Sequence, residues 1–415
     1  MNARSGARAI VAVAALLAAA PAAAEVAFDG ARVERELREM VEQGRVAGAE
    51  VLVWKDGREV HYSAAGLADR EARRPFARDT LVQIYSMTKP VTGVALMQLW
   101  EQGKFGLDDP LSRHLPEFAG LQVYDESEPD KLRPPFRPVT IRDVMRHTAG
   151  FTYGNAGHPS DAAWNTLEPL SLDHTLAQFA EAMAKVPLLY DPGTHWHYSA
   201  GVDVQARLVE VLSGQPFDEY VREHIFLPLG MSQSCWKCGA GMRPRLAAIY
   251  QSETPGELTR MPDAEWLAMN FAGKPMTMGG AGIVSTAGDY MRFARMLLGE
   301  GEFDGVRLLQ PATVRLMATD HLDPRIAPAD RSWLVGKGSG GFGLDFFVRT
   351  RPPQSAEENR GAVGEFFWDG RASTLFWVDP LNDMAVVFLT QKVEFDGTLH
   401  HDIRDAVYGA DYDGR

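Results

Sequence analysis

Apolar positions along this chain recur with more than one period, and each change of period marks a change of expected structure. Asp29 stands in a capping position ahead of a segment reaching about Gln43, with Val33, Leu37, Met40 and Val41 on one helical face. Strand-like patterns follow at residues 49–54 and 59–64. The Lys55-Asp56-Gly57-Arg58 that joins them carries the Asp-Gly signal of a tight hairpin. Between Ser86 and about Trp100 the pattern is one-sided nowhere: Val91, Val94, Ala95, Leu96, Met97, Leu99 and Trp100 make the segment apolar nearly all round. Such a helix is expected at the centre of a fold, not at its surface.

The middle of the chain alternates between irregular and helical expectations. Residues 105–138 hold Pro110, Pro116, Pro129, Pro134, Pro135 and Pro138 among charges and read as irregular chain over a surface. Thr140 and Asp143 form a capping box for a short helix that ends at Arg146-His147-Thr148-Ala149-Gly150. After more loop, helices are expected at about 172–185, 201–213 and 217–225, the last opened by Pro216. Residues 241–275 read as irregular. Gly279-Gly280-Ala281-Gly282 then leads to a helix capped by Ser285 or Thr286 and running to Leu298, and Pro311 opens another at about 311–318.

Aromatic and β-branched residues dominate the C-terminal part, which predicts antiparallel strands at 341–348, 365–368, 374–378 and 385–390. Turns are expected at Gly370-Arg371 and at Pro380-Leu381-Asn382-Asp383, with a closing helix at about 400–407. Strands at both ends with helices between predict an α+β protein. Residues 25–85 and 286–415 would form an α/β domain around one sheet, and 86–285 a mainly α-helical domain carrying the Ser86 helix. A ligand cleft would lie where the two meet.

Composition narrows the function more than the fold. A length of 415 residues suits one large or two modest domains, and 45% apolar with 23% charged residues is ordinary for a globular chain. The net charge of −13 comes without a basic patch, which argues against nucleic acid as a partner. Arg4 and Arg8, the apolar residues 10–19 and Ala22-Ala23-Ala24 read as a secretory signal peptide over residues 1–24, cut after Ala24. The apolar run is too short to span a bilayer and no later stretch is long enough, so a periplasmic or secreted protein with no membrane span is expected. The two cysteines, Cys235 and Cys238, lie between Pro228, Gly230, Gly239 and Gly241. That setting indicates a loop, either stapled or unpaired; it lacks the strand and helix of a redox motif and the further ligands of a zinc site.

The candidate chemistry begins at Tyr85-Ser86-Met87-Thr88-Lys89. Residues three apart share a helix face, so Ser86 and Lys89 can meet. A lysine at its ordinary pKa of about 10.4 is no base near neutral pH, but burial favours the neutral amine. The bare spacing also occurs at Ser234-Cys235-Trp236-Lys237, where no buried helix is expected. A serine–lysine hydrolase further needs a proton carrier and an oxyanion hole. Tyr198 sits on a loop before a helix start, where a neighbouring ammonium would ease its ionisation. Trp368-Asp369-Gly370-Arg371 lies at a strand edge, where a backbone N–H can face a cleft and Gly370 removes bulk. His195 and His197 alternate as on an extended segment and lack further metal ligands nearby.

Taken in order, Tyr85 to Lys89, Arg146 to Gly150, Trp196-His197-Tyr198-Ser199, Gly279 to Thr286 and Phe376-Trp377-Val378-Asp379-Pro380 resemble the class C β-lactamase-like serine hydrolases, over roughly residues 30–410. The chain looks most like the esterase branch of that superfamily, often called family VIII. The resemblance implies a β-lactamase/transpeptidase-like fold: an antiparallel sheet flanked by helices plus an inserted α-helical domain. It implies Ser86 as nucleophile, Lys89 as base and Tyr198 as proton relay, with the backbone N–H groups of Ser86 and Arg371 as oxyanion hole and no metal or cofactor. Two departures bear on substrate. Ala200 stands where β-lactamases of this type have Asn in Tyr-x-Asn, and Trp368-Asp369-Gly370 replaces Lys-Thr-Gly, or Trp-Gly-Gly in the esterases. Asp369 would narrow the cleft or repel anions, and Arg371 would neutralise it or reach an acidic substrate group. The expected function is a carboxylesterase acting on small uncharged esters. The alternatives are a β-lactamase or D-alanyl-D-alanine peptidase, an amidase, or a degenerate hydrolase that only binds.

Overall fold

The computed structural model describes residues 26–125, 128–254, 256–409 and 411–414. The proposed signal peptide therefore lies outside the described residues. Helix α1 (Gly30–Glu42) is capped by Asp29, whose carboxylate accepts from the Ala31 N–H at 3.0 Å, and it buries Val33, Leu37 and Met40. Strands β1 (Gly48–Lys55) and β2 (Arg58–Asp69) form the expected hairpin through Asp56 and Gly57, both at positive φ. Helix α2 (Thr88–Glu101) is buried from Thr88 to Leu99, the central position its uniform apolarity implies. It packs chiefly on α3 (Gly201–Ser213), which ends at Gly214 in the left-handed region.

One antiparallel sheet of eight strands joins the two ends of the chain. With β3 (Arg74–Pro75), β4 (Gly340–Phe342), β5 (Phe347–Arg349), β6 (Phe366–Asp369), β7 (Leu375–Asp379) and β8 (Met384–Thr390), its order is β4-β5-β6-β7-β8-β1-β2-β3. The N- and C-terminal parts meet at β1 and β8, in a register that sets Val51 opposite Phe388. Helix α4 (Ala287–Leu298, capped by Thr286) covers one face, where Tyr290 meets Phe376 at 4.9 Å. Helix α5 (Gly397–Tyr408) covers the other, where the Arg404 guanidinium lies 4.5 Å over Phe367 and 4.6 Å over Trp377. Both faces are thus buried, and successive residues of β6 point to opposite layers. The chain leaves and re-enters the sheet region beside itself, Val82–Gln83 pairing with Val284–Ser285.

Several expectations are corrected. Residues 341–348 are not one strand but two, β4 and β5, because the chain reverses at Asp345 (φ 65°), with Gly343 N–H donating to the Phe346 carbonyl at 2.8 Å. Residues 105–138 include a small hairpin, Val123–Asp125 with Glu128–Arg133, and 241–275 include another, Tyr250–Thr254 with Glu257–Arg260, as well as two short helices. Residues 160–167, expected as loop, form a helix, Ser160–Leu167. The helix expected at 172–185 is shorter, Leu176–Met183, and Thr175 with Gln178 forms its capping box. The segment after Pro216 passes from Phe217–Val221 into a wider π turn at Arg222–Phe226. Cys235 and Cys238 are disulfide-bonded to each other. No helix among the described residues is long and apolar enough to cross a membrane.

Candidate active site

Tyr85–Met87 form one tight 3-10 turn that runs directly into α2. Tyr85 enters it at φ 45°, a region unfavourable for a side-chain-bearing residue, so the turn holds local strain next to Ser86. Lys89 Nζ lies 3.1 Å from Ser86 Oγ and donates to the Gly280 carbonyl at 2.7 Å. The Gly280 N–H donates to Asp203 Oδ1 at 3.0 Å. A Cβ on Gly280 would stand 2.8 Å from Asp203 Oδ2 and 3.3 Å from Lys89 Nζ, which explains a glycine there.

Lys89 is 1% exposed. Burial lowers its pKa to about 8 against the opposing pull of Asp203, Asp345 and Asp369. Burial likewise raises Asp203 to about 6 and pushes Asp345 well above the usual carboxylate range. Gln205 Nε2 donates to Asp345 Oδ1 at 2.9 Å.

Tyr198 brings its ring to 4.7 Å from Lys89 Nζ, and its hydroxyl is hydrogen-bonded to Ser86 and accepts from Trp368 Nε1 at 3.4 Å. The expectation that a nearby ammonium would ease its ionisation is corrected: burial dominates and drives its pKa far up, so Tyr198 is a neutral phenol. His147 (φ 58°) packs its ring 4.9 Å from Tyr198. Burial, then the Lys89 charge, hold it well below the ordinary imidazole range, so it is an uncharged wall.

The turn after β6 lies against the Ser86 turn. A Cβ on Gly370 would come 2.4 Å from the Ile84 carbonyl, to which Thr374 Oγ1 also donates at 3.3 Å. Among the described residues, the backbone N–H groups of Ser86 and Arg371 have no protein acceptor. Trp368 is fully buried on the Tyr198 side of the sheet, its ring 5.4 Å from that of Tyr198. Asp369, the next residue on the strand, faces the α5 layer, which corrects its expected place in the cleft. Its partner is Lys337 Nζ and not Arg371, whose side chain is exposed; His400 Nδ1 is 3.9 Å away. Lys337 also sits 4.2 Å from the Phe395 ring and 4.6 Å from that of Trp333.

Breaking a buried pair leaves an uncompensated charge, which typically costs about 3–5 kcal/mol. Asp369→Leu and Lys337→Met are each expected to lower the unfolding free energy read from urea curves by that order, and the double variant to recover most of the loss. Equal, additive losses would show that the pair is not coupled.

Ser234 and Lys237, the second match to the spacing, are not brought together: Ser234 Oγ meets Ser285 Oγ at 2.9 Å and donates to Asp289 at 3.0 Å, while Lys237 pairs with Asp218 at 3.1 Å. His195 stacks on Tyr190 at 3.9 Å. Asp203, Asp345, Tyr153 and Lys337 were not singled out from the sequence. Asp203 lies in the first turn of α3, where an acidic residue is ordinary dipole chemistry, and the other three lie in loops or turns with no local signal.

The Beta-lactamase family model matches residues 33–409. Protein Rv1367c of Mycobacterium tuberculosis is 33% identical over 371 residues, covering 86% of this chain and 89% of its own. Esterase EstB of Burkholderia gladioli is 29% identical over 406 residues, covering 91% and 95%. Among solved structures, EstCE1, a hydrolase with promiscuous acyltransferase activity, superposes with a TM-score of 0.77 at 28% identity, over 91% of this chain and 98% of its own.

Proposed function

The chain belongs to the Beta-lactamase family, and from that premise we propose that it is a serine carboxylesterase that forms an acyl-enzyme with small, largely uncharged esters. The observation that carries the reading is a buried lysine with a pKa of about 8 whose Nζ lies 3.1 Å from Ser86 Oγ. Lys89 takes the Ser86 proton as Oγ attacks the ester carbonyl. The Ser86 and Arg371 N–H groups, without an acceptor among the described residues, hold the oxyanion. Tyr198 passes a proton to the departing alkoxide and is reprotonated from Lys89. Water then attacks the acyl-enzyme, its proton passing to the same pair, and Ser86 regains its hydrogen as the acid leaves. The sum is ester plus water to acid plus alcohol.

Trp368 supports uncharged substrates, since it stands where β-lactamases of this type hold a lysine for an anionic group. The likeness to esterase EstB supports the same class. With the signal read in residues 1–24, the enzyme acts in the periplasm or outside the cell. The test is turnover of p-nitrophenyl esters beside a chromogenic cephalosporin by the protein starting at Glu25. Ester turnover is expected to exceed cephalosporin turnover by about a hundredfold in kcat/KM, the worth of one lost charge-assisted hydrogen bond. Comparable cephalosporin turnover would overturn the esterase reading.

A further inference from the structure

We infer that the cavity of about 360 Å3 beside Tyr198 receives the alcohol side of the ester and selects an aromatic alcohol. The inference rests on the esterase reading and on Tyr198 as proton donor to the leaving group. A leaving alkoxide must come to the group that protonates it, so the alcohol is directed to the Tyr198 side of Ser86, where this cavity opens beside the ring. Tyr198 and Tyr153 both line the cavity, with their rings 4.7 Å and 5.7 Å from Lys89 Nζ.

One of its other walls is flat and aromatic, beside a polar rim of Asn155, Asp330 and Ser332. The Trp333 ring lies over Tyr198 at 4.9 Å with planes 8° apart, and over Trp196 at 5.6 Å with planes 13° apart. These nearly parallel rings favour a planar guest over a puckered one of equal size. Trp333 nevertheless remains 47% exposed, apolar surface that a bound ring would cover. Among the described residues no lysine or arginine lines the cavity, and the carboxylate there is Asp330, 3.5 Å from His195. An anionic alcohol would meet the Asp330 carboxylate.

The wall is also held in place before any ligand arrives. Lys337, on the segment that follows Trp333, is buried against Asp369 behind the sheet, which ties the Trp333 turn to β6. Asp369 is the residue by which this chain departs from Trp-Gly-Gly, and Lys337 is its partner, so the departure serves to fix the cavity wall.

The experiment compares benzyl acetate with cyclohexylmethyl acetate, which share the acyl group and differ in planarity. Two readouts are taken: kcat/KM for the wild type, and Kd for the non-turnover Ser86→Ala protein. The wild type is expected to prefer the benzyl ester by about five- to tenfold in kcat/KM, Ser86→Ala to show the same preference in Kd, and Trp333→Leu to reduce it to within about twofold, with Trp333→Phe retaining most of it. A ratio near one in the wild type, or a ratio unmoved by Trp333→Leu, overturns the inference. If neither ester is hydrolysed, the esterase reading falls, and the Kd ratio alone decides the cavity: a benzyl preference sustains its aromatic selectivity and equal affinities overturn it.

Discussion

Replacing Ser86 by alanine is expected to lower kcat on p-nitrophenyl acetate by about 10⁴-fold or more, as loss of a covalent nucleophile does elsewhere. The fold should be untouched. Ser86 is partly exposed, and Lys89 keeps its hydrogen bond to the Gly280 carbonyl when the serine hydroxyl is gone. The measurement is kcat beside a urea unfolding curve, with an active-site phosphonate and intact mass as a second readout. The wild type should gain one phosphonyl adduct and Ser86→Ala none. Ser234→Ala is the control, because its hydroxyl serves only Ser285 and Asp289 and the same spacing to Lys237 holds no catalytic geometry. Retained ester turnover in Ser86→Ala would remove the nucleophile assignment. A wild type inert to both ester and phosphonate would favour a degenerate, binding-only protein.

The residues of this site differ in how far the sequence reveals them, and the difference is one of range. Ser86 and Lys89 are legible because three-residue spacing on a helix is a local property, and the uniform apolarity after Lys89 already implies a buried lysine. The β1–β2 hairpin is legible for the same reason, its Asp56-Gly57 turn lying inside the pattern. The reversal between β4 and β5 is not: Phe342 to Phe347 shows no tight-turn signal, and the bend is held from outside, by the Asp345 N–H donating to the Met145 carbonyl at 3.1 Å. The hairpin of Tyr250–Thr254 and Glu257–Arg260 is built from mostly polar residues, too few of them apolar to show a strand period.

Asp369 shows the limit most sharply. Its sequence neighbour Arg371 is the obvious counter-charge, yet strand alternation turns Asp369 to the far side of the sheet. The cation that meets it there, Lys337, belongs to a turn remote in sequence. The direction of the Tyr198 shift is hidden from the sequence on similar grounds. A nearby ammonium can be read from motif order, whereas the burial that outweighs it emerges only when His147, Tyr153, Trp333 and Trp368, remote in sequence, close around the ring.

Lys89 sets the second large expectation, because a base works only when unprotonated. With its pKa at about 8, roughly a tenth of the amine is neutral at pH 7. The sign follows: kcat/KM should rise about tenfold per pH unit below pH 8 and level off above about pH 9, as the free enzyme loses the Lys89 proton. Lys89→Arg keeps the positive charge but not the base, since a guanidinium does not release its proton in this range. It should lower kcat/KM by about 10³-fold and abolish the limb. Asp203→Asn tests the cause of the value. Asp203 raises the Lys89 pKa through its charge while accepting from the Gly280 N–H, a bond the asparagine carbonyl can keep. Removing that charge should shift the limb to lower pH, with the Gly280 loop and the plateau largely preserved. A limb that stays in place in Asp203→Asn would mean that the Asp203 charge does not set it, and one that survives in Lys89→Arg would move the base to another residue.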